Sequence, residues 1–190
     1  MVTTELPPST RTYTLEEFWE LPDPPDHSKL ELIAGVLYMT PPPGHKHDNA
    51  VSRLIRKISE YLIKSEVEGA LHVPRAAIWT SPNTHLEPDL FFISAETEAH
   101  QKPEQRTTAD LVIEVISPGS AKYDRNIKAA AYAGLGVKEL WLVDEKGFEI
   151  EVRQLEGEMF GVGTRFGKGD VLGSTVLPEL GLKVRDIFGR

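Results

Sequence analysis

The stretch Leu111-Val112-Ile113-Glu114-Val115-Ile116-Ser117-Pro118-Gly119-Ser120 joins an apolar run to a sharp turn. Five of its first six residues are branched aliphatics, which suits a strand buried on both faces rather than one alternating between core and water. Glu114 is the exception. An ionised carboxylate there costs several kcal/mol unless it is paired or bound to a cation. Ser117 to Ser120 then turns the chain into a helix that the pattern carries to about Ala133, with Gly134 as its stop. Glu139 to Val143 follows as a second apolar strand.

On the N-terminal side, Pro88 to Ile93 reads as another strand, with Asp89 near its start, and Leu71 to Trp79 as one more. Ahead of them Val51, Leu54, Ile55, Ile58 and Leu62 recur at the helical period with charged residues between, which predicts a long amphipathic helix. Thr14 to Glu17 forms a capping box, and Leu15, Phe18 and Trp19 give the short helix behind it an apolar stripe that Pro22, Pro24 and Pro25 end. Lys29 to Met39 reads as a hairpin turning at Ala34-Gly35, and Gly147 to Leu155 as strand in a glycine-punctuated tail. The order is helix, three strands, helix, strand, with β-hairpins added at both ends: an α/β (α+β) sheet with helices against it. At 190 residues one domain, 13–190, is expected behind a trailing segment, 1–12.

The chain has no cysteine, so thiolate nucleophiles and Cys-ligated metals are excluded and any metal must be held by oxygen or imidazole. No apolar run is long enough for a membrane span, and MVTTELPPSTRTYT has neither the basic start nor the apolar stretch of a secretory signal; the cytoplasm is the expected compartment. A net charge of −8 is the wrong sign for coating nucleic acid by bulk charge, although a local basic patch can coexist with it.

Asp89 and Glu114 stand where acids are expensive. Each alone reads first as an acid satisfied by a salt bridge or backbone N–H groups. On neighbouring strands, ~4.8 Å apart, two carboxylates can converge on one hard divalent cation. Asp124, Lys128 and Tyr132, four apart, form one helical stripe. That stripe either faces the acids or is a solvated ion pair worth only ~0.3–0.5 kcal/mol beside a packed tyrosine. Glu31 either extends the acidic site or, by simple alternation with Leu30 and Leu32, lies on the wet face. His45 and His47 make an HxH pair in a proline-glycine loop.

Glu87-Pro-Asp-Leu90, the 111–120 stretch, Asp124, Lys128, Tyr132 and Gly136-Val-Lys-Glu-Leu-Trp-Leu-Val-Asp144 occur in this order, with Leu30 to Tyr38 and His47 ahead of them. Together they resemble the Uma2 family of endonucleases within the restriction-endonuclease-like PD-(D/E)XK superfamily, over roughly residues 13 to 188. The resemblance implies that Asp89 and Glu114 hold a metal, Mg²⁺ or Mn²⁺, assisted by the Val115 carbonyl, and that the substrate is DNA. Glu31, His47, Asp124 and Tyr132 would support the site. The sequence departs from the pattern at Ile116, where the superfamily places a lysine. Either the lysine has moved or the site is impaired; Lys128 is the candidate replacement, with Lys122 or Lys57 next in line.

The leading expectation is therefore a metal-dependent endonuclease cutting phosphodiester bonds, assembled as a homodimer or higher homo-oligomer to reach both strands of a duplex. A catalytically silent member of the fold, acting in oligomerisation or nucleic-acid binding, is the alternative that Ile116 and the net charge favour. A carboxylate-pair hydrolase acting on sugars has only scattered Trp behind it. Clustering of Asp89, Glu114 and Lys128 in one groove with a positive rim is the arrangement the nuclease reading calls for.

Overall fold

The structure, a computed structural model, describes residues 4–5, 11–117 and 119–189. Most of the expected trailing segment, residues 1–3 and 6–10, lies outside the described residues, as does Pro118. The chain begins with β1 (Thr4–Glu5), α1 (Leu15–Trp19), β2 (Lys29–Ile33), β3 (Val36–Thr40) and α2 (His45–Lys64). Then come β4 (Gly69–His72), β5 (Ile78–Thr80), β6 (Thr84–Leu86), β7 (Leu90–Ser94), α3 (Ala95–Ala99) and β8 (Leu111–Ile116). A π-helical stretch (Tyr123–Lys128) leads into α4 (Ala129–Gly134), followed by β9 (Glu139–Asp144), β10 (Glu149–Glu156), β11 (Met159–Phe160), β12 (Thr164–Gly167) and α5 (Arg185–Phe188).

The larger sheet runs β11-β10-β9-β8-β7-β4, with β12 also on β10. β8 lies in its interior, antiparallel to β7 and parallel to β9, and all six of its residues are buried. That double coverage is why its sequence is nearly continuous aliphatic. Its side chains alternate between the two faces as the pleat requires. On one face Ile113 and Val115, with Leu90 and Phe92, pack under Ala50, Val51, Leu54 and Ile58 of α2. On the other face Val112 and Ile116, with Phe91 and Ile93, pack under Ala129 and Tyr132 of α4 and under Ile33, Tyr38, Ile78 and Leu86.

Those last residues belong to a second sheet, β1-β3-β2-β6-β5. The predicted hairpin forms there, with both turn residues, Ala34 (φ 50°) and Gly35 (φ 82°), in the left-handed region that a two-residue hairpin needs. Helix α1 opens with the expected capping box and closes the sheet's far side through Leu15 and Phe18 against Leu32 and Leu37.

Three boundaries differ from the sequence reading. Leu71–Trp79 is not one strand: it breaks at Pro74-Arg75, β4 joining the larger sheet and β5 the smaller, because proline cannot donate within a ladder and Arg75 turns with φ 78°. Helix α2 starts at His45, well ahead of the first periodic apolar residue, so His47 sits in its first turn. The left-handed stop of α4 is Gly136 (φ 77°), not Gly134; Gly136 N–H reaches Ala133 O at 2.9 Å and Val137 N–H reaches Tyr132 O at 3.0 Å, a Schellman closure.

Candidate active site

The β7–β8 ladder ends at Leu90 opposite Ile113, so Asp89, just ahead of β7, and Glu114, the next residue of β8, stand side by side where the ladder stops. Glu114 shares the face of Val112 and Ile116, and both acids line the same cleft. Asp89 Oδ2 accepts from Val115 N–H at 2.8 Å and from His47 Nε2 at 3.0 Å. Glu114 Oε1 accepts from Tyr132 OH at 2.5 Å and faces Lys128 Nζ at 2.5 Å. Lys128 Nζ also lies 3.2 Å from Glu31 Oε1, and its side chain is only 2 % exposed. Glu31 in turn accepts from Glu87 N–H (2.9 Å) and Tyr123 OH (3.2 Å).

The electrostatics separate the two acids. Burial pushes Asp89 up, but the His47 hydrogen bond and the charges of Lys29, His47 and Lys128 outweigh it and bring Asp89 down to about 2. Burial also pushes Glu114 up, and there it prevails: opposed by Lys128 and reinforced by Asp89, it brings Glu114 up to about 7. Glu31, equally buried, is nevertheless held below its ordinary value by Lys128 and Lys29. Lys128 is raised although burial alone would lower it, because Glu114 and Glu31 flank it, and the tyrosine hydroxyls are raised by burial and by Glu31 and Glu114. The floor thus carries one firmly ionised carboxylate beside one poised near neutrality, with a fixed cation behind them.

Asp89, Glu114, Lys128 and Asp124 line a cleft of about 680 Å³, together with His47, Lys29, Arg75 and Glu87. Glu31, Tyr123 and Tyr132 stand behind its floor, holding Lys128 and Glu114 in place. The alternation argument that put Glu31 on a wet face fails: Glu31 is fully buried, because the second sheet lays that face of β2 against the first. Of the HxH pair, only His47 joins the site; His45 is exposed. The lining bears seven carboxylates against three basic side chains, so its fixed charge is acidic rather than positive.

Two contributors escaped the sequence reading. Tyr123 lies off the 124-128-132 stripe, and it reaches the site because the intervening turn is π-helical, bringing positions five apart, 123 and 128, onto one side. Lys29 Nζ donates to Glu87 O at 2.7 Å and lies 3.8 Å from Glu31; the signal available was strand alternation, which places 29 and 31 on one face.

The donor set suits a hard divalent ion. Asp89 Oδ1 and Glu114 Oε2 stand outside the hydrogen bonds just described, in one cleft. Among the described residues no three His, Asp or Glu side chains gather closely enough to hold an ion by themselves. An ion at Asp89 and Glu114 would complete its shell from water and phosphate oxygens, as Mg²⁺ commonly does.

Leaving aside β5, β6 and α3, the order α2, β4, β7, β8, α4, β9, with Glu114 on β8 and Asp89 at the entry to the neighbouring β7, defines a restriction-endonuclease-like fold. Residues 15–185 match Uma2, described as "Putative restriction endonuclease", and the chain belongs to that family. Its fold is similar to that in the "Crystal structure of a putative nuclease belonging to DUF820 from Anabaena variabilis ATCC 29413": TM-score 0.74, covering 93 % of this chain and 97 % of that one at 19 % identity. No curated protein matches the sequence. No helix among the described residues is long and apolar enough to cross a membrane.

Proposed function

We propose that the chain is a Mg²⁺-dependent endonuclease hydrolysing DNA phosphodiester bonds at Asp89 and Glu114, with Mn²⁺ able to replace Mg²⁺. The observation that carries this reading is the meeting of Asp89 and Glu114 in one cleft, with Lys128 Nζ 2.5 Å from Glu114. Asp89 and Glu114 would hold the ion. A bound divalent ion supplies an activated water and offsets charge building on the phosphate. Asp89 is kept ionised and oriented by His47 and the Val115 N–H. Lys128, clamped between two glutamates, presents a fixed positive charge to the phosphate, the preorganised kind that needs no rearrangement during reaction. The acidic lining runs against the positive rim that the nuclease reading calls for, and a polyanion would enter it only with cations bound to offset the carboxylates.

The test is cleavage of plasmid and oligonucleotide DNA with Mg²⁺ or Mn²⁺, set against Asp89→Asn and Glu114→Gln. Metal-dependent cutting lost in both variants supports the reading; no cutting by the folded parent removes it. A silent module is the second reading, favoured by one feature: Lys128, shared between Glu31 and Glu114, with Lys29 3.8 Å from Glu31, gives the buried acids cationic partners without an ion.

A further inference from the structure

Four buried polar atoms that make no hydrogen bond among the described residues belong to residues lining this one cleft: Thr40 Oγ1, His47 Nδ1, Glu87 Oε2 and Glu145 Oε1. Two of them are carboxylate oxygens, which need donors. A phosphate cannot satisfy them, because it brings only acceptors and negative charge. Glu87 is locked at its main chain, N–H to Glu31 and carbonyl to Lys29. Its Oε2 has a loose ion pair with Arg75 Nη1 at 3.6 Å.

The floor is also deep. The side chains of Asp89 and Glu114 are 13 % and 4 % exposed, so a reacting phosphate must descend into the cleft. Pro24, Pro41, Pro42, Pro43 and Pro74 stand in its walls, and their fixed φ angles stiffen the rim. A volume of about 680 Å³ matches sites that enclose one small organic ligand, about 300–1,000 Å³.

We infer that the cleft takes an unpaired nucleotide of a DNA strand rather than an intact duplex, with Glu87 reading the base edge and Arg75 holding a flanking phosphate. This rests on the nuclease reading for the identity of the polymer. In a duplex the N–H donors of the Watson–Crick edges are occupied by pairing, and the phosphates run along the outside of the helix, away from a floor whose acids are 13 % and 4 % exposed. A nucleotide that is single-stranded or turned out of the stack brings those donors to Glu87 and lowers its phosphate to the floor. Arg75 stands at the mouth with its side chain 71 % exposed, against 25 % for Lys29 and 2 % for Lys128. It is held there by a left-handed backbone (φ 78°), a conformation that persists in non-glycine residues only where the surroundings enforce it.

The test is fluorescence anisotropy with a short fluorescein-labelled DNA strand and its duplex, with Ca²⁺ in place of Mg²⁺ so that binding is read without cleavage. The single strand should bind about tenfold or more tightly than the duplex. Arg75→Ala should weaken all strands alike and reduce the slope of log K against log salt by about 0.7, the value of one phosphate contact on a single strand. Glu87→Gln should narrow the spread among oligo-dA, oligo-dC and oligo-dT by about fivefold, since a carboxylate acceptor discriminates among base edges. Neither side chain makes a hydrogen bond among the described residues, so both variants are expected to fold. Duplex binding as tight as single-strand binding, or a base spread unchanged in Glu87→Gln, overturns the inference. Strand binding that follows these rules in a protein that cuts nothing with Mg²⁺ or Mn²⁺ sinks the nuclease reading and leaves this one standing.

Discussion

Lys128 Nζ stands 2.5 Å from Glu114 Oε1 and 3.2 Å from Glu31 Oε1, so the cation beside the β8 acid comes from the following helix and not from β8 itself. Ile116, where a lysine on the strand would stand, is instead packed in the apolar layer between the sheets. Removing Lys128 leaves Glu114 and Glu31 buried with only the more distant Lys29 as a countercharge. Lys128→Met, which keeps most of the volume, should cost about 3–5 kcal/mol of stability, as loss of one partner from a buried ion pair does. Cleavage should fall by about 10²–10³ if Lys128 stabilises phosphate charge. Urea denaturation and single-turnover cleavage on the same preparation separate the two effects, and undiminished cleavage would remove Lys128 from the reaction.

Moving the lysine back offers a sharper check. Ile116→Lys alone should destabilise strongly, because it places a second cation in an apolar layer that already holds Lys128 nearby. The double variant Ile116→Lys, Lys128→Met should recover stability relative to either single change, since position 116 shares the face of Glu114. It should also regain about tenfold or more of the cleavage lost in Lys128→Met if only the charge matters.

Metal binding is measurable without a substrate. At a hundredfold excess over its dissociation constant a native-state ligand adds about 2.7 kcal/mol, and a chain of this size shifts by about 2–4 °C per kcal/mol. Mg²⁺ or Mn²⁺ should therefore raise the melting temperature by roughly 5–10 °C. Asp89→Asn and Glu114→Gln should each abolish the rise. An unchanged melting temperature in the parent at millimolar metal would favour the silent module.

Away from the cleft, Glu139 predicts an acid limit to stability. Its buried carboxylate accepts from Trp141 Nε1, Ser174 Oγ and Gln154 Nε2, each at 2.6 Å, and from Thr175 N–H and Oγ1 at 2.8 Å, tying the C-terminal segment to β9. Burial would raise it, but the Ser174, Gln154, Trp141 and Thr175 hydrogen bonds prevail and hold it below the ordinary 4.5. A carboxyl depressed in the folded state stabilises above its unfolded value and loses that stabilisation as the pH falls through its folded value. Glu139→Gln, which turns an amide toward donors, should cost about 1.5–3 kcal/mol at pH 7. The deficit should shrink once the pH drops below 4.5. Equal deficits at neutral and acid pH would contradict it.

The linear sequence determined those parts of the protein whose cause is local. The aliphatic run at 111–116, the helical period from Val51 to Leu62, the Thr14 capping box and the Ala34-Gly35 turn are each set by residues a few positions apart, and each formed as read. Asp89 and Glu114 were legible for a related reason: an acid inside an apolar strand stands out against its immediate neighbours. Tertiary structure alone decided what two distant segments do to one another. Glu31 is buried because a second sheet closes over β2, and a pleat specifies which face a residue takes but not what covers that face. Leu71 to Trp79 divides between sheets because each half finds a different partner. His47 meets Asp89 across 42 positions, and Tyr123 joins Lys128 only through a π-helical turn that no spacing rule anticipates. These contacts depend on burial and charge pairing between segments brought together by the completed fold, and such free energies are properties of the assembled chain rather than of any local stretch.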